Sequence, residues 1–523
     1  MRQMKAIILA AGEGSRMKSK KPKVLHEILN KSMVDYVIET AKGCGAEDVC
    51  VVVGHKAEEV KAGIRAEGIS FALQAEQKGT GHAVMMAGDF IDESSDMLIL
   101  YGDTPLITGE TLTKLVEVHR TEGHSVTVVS SKIEDPTGYG RIMRDDHGGF
   151  ERIVEHKDAT DTQRMINEIN TGIYIFNGRE LKESLGKLNN NNAQGEYYLT
   201  DCLELILKAG GKVEAVAKDA DEFFGVNSRV QLAEAAKIMK HRINRKHMEC
   251  GVTLVDPENT YIGSDVKIGM DTVILPGCVL EGNTEIGEDC EIGPNSRLTD
   301  TKLGNGVKFQ TSTAIESEIG NETTVGPFAY IRPNCHIGNR VKVGDFVEVK
   351  NSTIGDGTKI PHLSYVGDTD AGEKINFGCG SIMVNYDGKK KHRTTIEDNV
   401  FVGCNVNLVA PVTVKKGSYI AAGSTITKDV PEDVLAVARA RQQVIEGWTK
   451  KRIERYGKKQ DRYISLSHSV PNPSSHVECS HPIPTSYIQQ KPARPPAWDT
   501  TSHVPIGESF ANCHFHGFSP VAP

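Results

Sequence analysis

Residues 261–298 read YIGSDVKIGMDTVILPGCVLEGNTEIGEDCEIGPNSRL, and this stretch decides the fold of the C-terminal half. Ile262, Ile268, Ile274, Leu280, Ile286, Ile292 and Leu298 recur every six residues. A second phase runs Ile319, Val325, Ile331, Ile337, Val343, Val349, and a third Ile396, Val402, Leu408, Val414, Ile420, Ile426. Glycine follows the aliphatic residue at Ile262, Ile268, Ile286, Ile292, Ile319, Ile337 and Ile354. A period of six fits a parallel β-helix. Each hexapeptide makes one flat face, one aliphatic side chain points to the axis, and a small residue turns the corner.

Upstream, residues 1–228 follow another rhythm. Lys5–Ala10, Val49–Val53, Met97–Tyr101, Val126–Ser130 and Gly172–Phe176 are short apolar strand candidates, with helical stretches such as Met33–Gly43 and Gly109–His119 between them. That alternation predicts an α/β domain with a largely parallel sheet. Residues 229–249 place Leu232, Ala235, Ala236, Met239 and Ile243 at helical spacing, ending in the basic stretch Lys240–Lys246, and predict a linker helix. The β-helix is expected over 250–456. Residues 457–523 are expected to be a disordered tail: Asp461–Pro523 holds 10 of the chain's 21 prolines and 6 of its 18 histidines without periodicity. The tail histidines match no metal-ligand spacing.

With 523 residues and a net charge of −8, the chain lacks the basic excess that nucleic acid requires of a partner, so none is expected. No apolar run reaches the ~18 residues of a membrane span. The eleven cysteines are scattered, without a C-x-x-C pair, which predicts reduced thiols in a cytoplasm.

The chemistry concentrates in a few strings. Leu9-Ala10-Ala11-Gly12-Glu-Gly14-Ser-Arg16-Met, followed by Pro22-Lys23, is a strand running into a glycine-rich loop. Bare amides there can approach a polyphosphate, while Arg16 and Lys23 bring charge. It is neither a P-loop nor a dinucleotide fingerprint. Asp103, after Tyr101-Gly102, should stand at the carboxyl end of a strand, where ligands bind in α/β sheets and a carboxylate can hold Mg²⁺. Gln74 to Thr80 forms a polar loop suited to reading a base edge. Gly140, Glu155, Asn170 and Asn227 lie on further polar turns.

Within the β-helix, Arg332, Lys350, His362, Tyr365, Asn376, Asn385 and Tyr386 interrupt the aliphatic coils around the broken rhythm at 361–395. His362 is the candidate general base, because imidazole titrates near neutrality. The basic run Lys389–Arg393 reads first as a solvated loop and second as a contact for cofactor phosphate.

The first motif resembles the signature of sugar-phosphate nucleotidyltransferases. Residues 4–456 as a whole resemble the bacterial bifunctional N-acetylglucosamine-1-phosphate uridyltransferase/glucosamine-1-phosphate acetyltransferase family. Asn192–Asp201, Arg332-Pro, His362–Tyr365, Asn385–Gly388 and Glu446–Trp448 carry that likeness. The resemblance implies a Rossmann-like nucleotidyltransferase domain, a linker helix and a left-handed β-helix. It also implies a cytoplasmic homotrimer that makes UDP-N-acetylglucosamine, a cell-wall precursor, from acetyl-CoA, glucosamine-1-phosphate and UTP. Leu9, Ala10, Ala11, Gly12, Lys23, Gln74, Gly79, Thr80, Tyr101, Gly102, Gly140, Glu155 and Asn170 would contact the nucleotide or its sugar, and Asp103 and Asn227 would hold Mg²⁺. Arg332, Lys350, Tyr365 and Asn376 would bind the sugar phosphate, with His362 as proton acceptor. Cys379, Asn385, Tyr386, Cys404, Ala422 and Arg439 would line the acetyl-CoA site, assembled between subunits. Cys379 and Cys404 depart from the Ala and Ser of other members, and the tail beyond about Lys459 has no counterpart in the family. The alternative is a sugar-1-phosphate nucleotidyltransferase with a purely structural β-helix.

Overall fold

Ala6–Ala10 are all buried, which suits strand β1 (Met4–Ala10) to the interior of a nine-stranded sheet. The other strands are β2 (Ala46–Val53), β3 (Ile69–Leu73), β4 (Asp96–Tyr101), β5 (Val126–Lys132), β6 (Arg141–Arg144), β7 (Phe150–Val154), β8 (Glu168–Asn177) and β9 (Val213–Lys218). The computed structural model describes residues 2–456, so the tail at 457–523 lies outside the described residues. Residues 1–441 belong to one compact unit and 442 onward to a second, whose described part is helical from 448 to 456.

Across the first sheet the order is β9-β5-β8-β4-β1-β2-β3. β1 runs parallel to β2 and β4. The largely parallel sheet expected from the sequence is in fact mixed. β8 lies antiparallel to β4 and β5, and β6 and β7 form an antiparallel pair beside it. Apolar runs locate strands but carry no mark of direction, because the same buried pattern serves either ladder. Helices α1 (Met33–Gly43) and α2 (Gly109–Thr121) start at capping hydroxyls: Ser32 accepts from Asp35 N and Thr108 from Thr111 N. α1 packs Val34, Val37, Ile38 and Ala41 against one face of the sheet.

Helix α3 (Arg229–Glu249) rests Ala235 and Met239 on Ile28, Met33 and Leu106. Its later turns meet the first β-helical coil. Asn244 Nδ2 donates to the carbonyls of Pro257 (2.8 Å) and Thr260 (3.0 Å). Lys31 reaches Asp265 at 2.6 Å.

From Thr253 the chain winds as a left-handed parallel β-helix of three sheets with 11, 10 and 9 strands. Every aliphatic position of the six-residue rhythm named above is buried except Ile268, which is partly covered. The phase breaks have a simple origin. Ile262, Leu280 and Leu298 stack directly, but the coil from Leu298 to Ala314 is shorter by two residues. The corner loses residues while the axial stack stays in register. The opposite happens where Thr369 pairs with Thr394, in a coil seven residues longer than that from Ile262 to Leu280. Tyr386–Arg393 lies in this lengthened coil.

In the last turn of α2, His119 is 3% exposed, with Nδ1 3.0 Å from Thr127 Oγ1. Burial pushes its pKa down to about 4 from the ordinary 6.5. The folded protein therefore holds a neutral imidazole that the unfolded chain would protonate. Its contribution is complete above about pH 6.5 and is lost as pH falls toward 4, about 3 kcal/mol in all. Denaturant midpoints should drop between pH 7 and pH 4.5, and His119→Gln should flatten that dependence. An equally steep fall in the variant would assign the acid sensitivity elsewhere.

Candidate active sites

The carboxyl ends of β1 and β4 open onto a cavity of about 320 Å³. Leu9, Ala10, Ala11, Gly12, Lys23, Gln74, Gly79, Thr80, Tyr101 and Asp103 line it, together with Gln77 and Glu196. A Cβ added to Gly12 would meet nothing within 4 Å, so its backbone is open to a ligand. Gly14 has φ +67°, and a side chain there would collide with Lys23. That glycine lets the loop fold back so that Lys23 faces the cavity. Arg16 is exposed on the short turn that follows.

The Lys23 ammonium contacts the Asp103 carboxylate and lies 3.1 Å from Asn227 Oδ1. Both charged side chains are only 14% exposed. A cation thus already sits between two hard oxygen donors, one anionic. This donor set fits a magnesium ion, which keeps waters and phosphates as its remaining ligands.

The other predicted residues surround this floor. Gly102 packs against Val24 and Ala10. Gly140 faces Glu155, whose carboxylate would be 3.4 Å from a Cβ there. The Gly140 carbonyl accepts from Asn170 N at 2.9 Å, and Asn170 Nδ2 donates to Tyr174 OH at 2.7 Å. Burial raises the Glu155 carboxyl above the usual range, and Thr200 donates to it at 3.4 Å. Asp201 is pushed up to about 6, first by burial and then by Glu204 and Asp158.

Sequence reading did not single out Gln77, Glu196 or Asp201 as site residues. Gln77 Nε2 ties the polar loop to the Ala11 carbonyl at 2.8 Å. Gly81 N donates to Tyr197 O at 2.8 Å, which brings Glu196 to the cavity mouth. The signal for Gln77 was its place in the polar loop Gln74–Thr80, and for Glu196 and Asp201 the polar, non-repetitive string Asn192–Asp201.

On the β-helix, His362 ends the strand Lys359–His362 and stands half-exposed in register with Asp345. Its Nδ1 is 2.6 Å from Asp345 Oδ1. Asp345 was not among the residues expected from sequence, because a lone Gly-Asp in a corner is indistinguishable from the other turns. An open depression of about 580 Å³ brings together Arg332, Lys350, Asp368, Lys391, His392 and Arg393. The basic run is therefore not merely a solvated loop, for its inner side joins the two predicted phosphate ligands. The Lys391 ammonium pressed against Lys350 holds the latter below the usual ammonium range. Two abutting cations of this kind call for an anion between them. Arg332 also donates to Glu348 at 2.8 Å.

Tyr365, Asn376 and His362 do not line that depression. Tyr365 pairs with Glu348 on the adjoining strand, and its hydroxyl accepts from Asn385 Nδ2 at 3.2 Å. Asn385 also donates to buried Asp368 at 2.6 Å. Asn376 pairs with Lys359 in the sheet that carries His362. Cys379, Cys404, Ala422 and Arg439 form a column through successive coils. Cys379 O accepts from Asn405 N (2.7 Å), Cys404 O from Gly423 N (2.8 Å), and Ala422 O from Arg439 Nη1 (2.8 Å). Tyr386 is exposed and bonds the Gly388 carbonyl at 2.7 Å.

Residues 5–223 match the model of the nucleotidyl transferase family, and residues 265–300, 316–351 and 393–428 match that of the bacterial transferase hexapeptide repeats. Bifunctional protein GlmU of Thermoanaerobacter pseudethanolicus is 56% identical over 455 residues, covering 87% of this chain and 99% of that protein. That of Clostridioides difficile is 53% identical over 449 residues, covering 86% and 98%. With more than half of the aligned residues identical across nearly the full length of such relatives, and with both transferase modules in place, the chain belongs to the GlmU family of bifunctional transferases.

Proposed function

We propose that the two activities are divided between the two sites, with residues 1–228 transferring a uridylyl group, 229–249 linking, and 250–456 transferring an acetyl group. In the first step, the amine of glucosamine-1-phosphate attacks the thioester of acetyl-CoA. His362 takes the amine proton, and Arg332, Lys350 and Lys391 hold the sugar phosphate. Much of the acceleration there is positioning. The column Cys379, Cys404, Ala422 and Arg439, with Asn385, Tyr386 and the neighbouring Tyr365 and Asn376, supplies the surface for acetyl-CoA and sugar.

In the second step, the phosphate of N-acetylglucosamine-1-phosphate attacks the α-phosphate of UTP and releases pyrophosphate. When bound by Asp103 and Asn227, Mg²⁺ would neutralise and orient the triphosphate. Lys23 then exchanges those oxygens for phosphate, and Arg16 adds charge from the loop. Gln74, Gly79 and Thr80 face the base, while Gly140, Glu155 and Asn170 face the sugar.

The observation that carries this reading is the contrast between the sites. One offers paired oxygen donors holding a cation in a glycine-lined cavity, and the other offers clustered cations on one face of the β-helix and a half-exposed imidazole on the adjoining sheet. A half-exposed base on a β-helix is an incomplete site, which supports its completion by a neighbouring subunit; the assembly proposed is a cytoplasmic homotrimer.

Purified protein given glucosamine-1-phosphate, acetyl-CoA, UTP and Mg²⁺ should release both CoA thiol and pyrophosphate, and neither product alone. Pyrophosphate formed only from supplied N-acetylglucosamine-1-phosphate would leave the β-helix structural or obstructed. Deleting residues 461–523 would then separate those two cases.

A further inference from the structure

The proton acceptor proposed above has a partner that the reaction needs and that no motif announces. Asp345 closes the strand Lys342–Asp345 and pairs in register with His362 one coil away. Gly344 makes the approach possible, because a Cβ there would run into the Pro361 carbonyl oxygen. The Asp345 carbonyl accepts from Leu363 N at 2.9 Å, which pins the backbone on the other side of the histidine. The two strands are thus locked together around one side-chain contact, Nδ1 to Oδ1 at 2.6 Å.

We propose that Asp345 is a positioning residue for acetyl transfer, holding His362 in the Nδ1–H tautomer with Nε2 free to accept the amine proton. An ionised carboxylate can only accept a hydrogen bond, so the ring nitrogen facing it must carry the hydrogen. The step balances without any other reagent. The amine lone pair forms the C–N bond, the C–S bond breaks, the thiolate leaves with its electron pair and is then protonated, and the amine proton passes to Nε2. As the imidazole becomes imidazolium, the carboxylate 2.6 Å away stabilises the charge that develops. The Asp345 carboxyl lies below the usual carboxylate range chiefly because of its bond to His362, with Lys342 the other charge acting on it. Lys359, on the strand of His362 itself, is paired with Lys342. Beyond these, the coil above carries Asn376 and Cys379, and the adjoining sheet carries Glu348 and Tyr365.

This role rests on His362 being the proton acceptor, and the test separates the two claims. Parent, Asp345→Ala, Asp345→Asn and His362→Ala proteins are compared as full chains, with kcat and KM for acetyl transfer measured across pH and uridylyl transfer as the control. Asp345→Ala should lower acetyl-transfer kcat about 10- to 100-fold with little change in KM. The acidic limb of its profile should move to lower pH, because a carboxylate no longer favours the protonated ring. Asp345→Asn, which keeps the shape and can still accept from Nδ1–H, should recover part of kcat but not the position of the limb. Uridylyl transfer should be unchanged in both. An Asp345→Asn protein indistinguishable from the parent in kcat and limb would overturn the role, as would an Asp345→Ala protein that loses uridylyl transfer equally. If instead His362→Ala acetylates like the parent, the base assignment itself is wrong, whatever Asp345 does.

Discussion

Asp103→Ala should reduce uridylyl transfer by about 10³-fold or more while acetyl transfer stays within about twofold of the parent. The carboxylate is the one anionic member of the oxygen pair that Lys23 now bridges. Without it, neither a metal ion nor the lysine is fixed against the triphosphate, and the charge that builds on the transferring phosphoryl group goes uncompensated. The backbone has reason to survive the change, because the bond from Val226 N to the Asp103 carbonyl (2.9 Å) does not involve the side chain. Asp103→Asn is the sharper comparison: it keeps an oxygen donor in place and removes only the charge. Its activity should fall between those of the parent and the alanine variant, and added Mg²⁺ should restore part of it. Loss of both reactions from a folded, assembled Asp103→Ala protein would break the division of labour between the sites.

The repeat domain was readable because its physics is one-dimensional. A side chain that must point at the axis every sixth residue leaves a trace such as Ile274, Leu280, Ile286 in any stretch of the chain. Even the interruptions of the rhythm carried meaning, since they mark shortened coils and the seven-residue excess that brings Lys391 to Lys350. The glycine-rich loop was legible for a similar reason: Gly12 and Lys23 line one cavity and Gly14 turns the chain between them, so the three fall close together in sequence. What could not be read were contacts made by distant segments. Glu196 reaches the cavity because Lys78 and Gly81 both bond the backbone of Tyr197, and nothing near Gly81 names that partner. The antiparallel course of β8 is hidden likewise, because Ile173, Ile175 and Phe176 are equally buried in either direction. Asp345 is the extreme case. It stands 17 residues from His362, one coil of the helix, so its role exists only once the coil is wound.

His362→Ala should produce the mirror image of the first result, a loss of about 10²- to 10⁴-fold in acetyl transfer with uridylyl transfer intact when N-acetylglucosamine-1-phosphate is supplied. The side chain is half-exposed and ends a strand whose axial residue is Ile360, so removing it leaves the packed interior untouched. Any loss of rate therefore reports on proton transfer or on substrate positioning, and the two can be told apart. If His362 positions the sugar, KM for glucosamine-1-phosphate should rise and kcat should hold. If it accepts the proton, kcat should collapse and KM should stay close to the parent's, because the proposed phosphate ligands Arg332, Lys350 and Lys391 line a depression that His362 does not enter. Raising the pH sharpens the distinction. A substrate amine that arrives already deprotonated still has to shed a proton after attack, so alkaline buffer should return only a fraction of the lost rate. Full recovery at high pH would mean that His362 does no more than select the neutral amine. Persistence of the deficit places its action in the bond-forming step, where Asp345 can contribute only through the ring it holds.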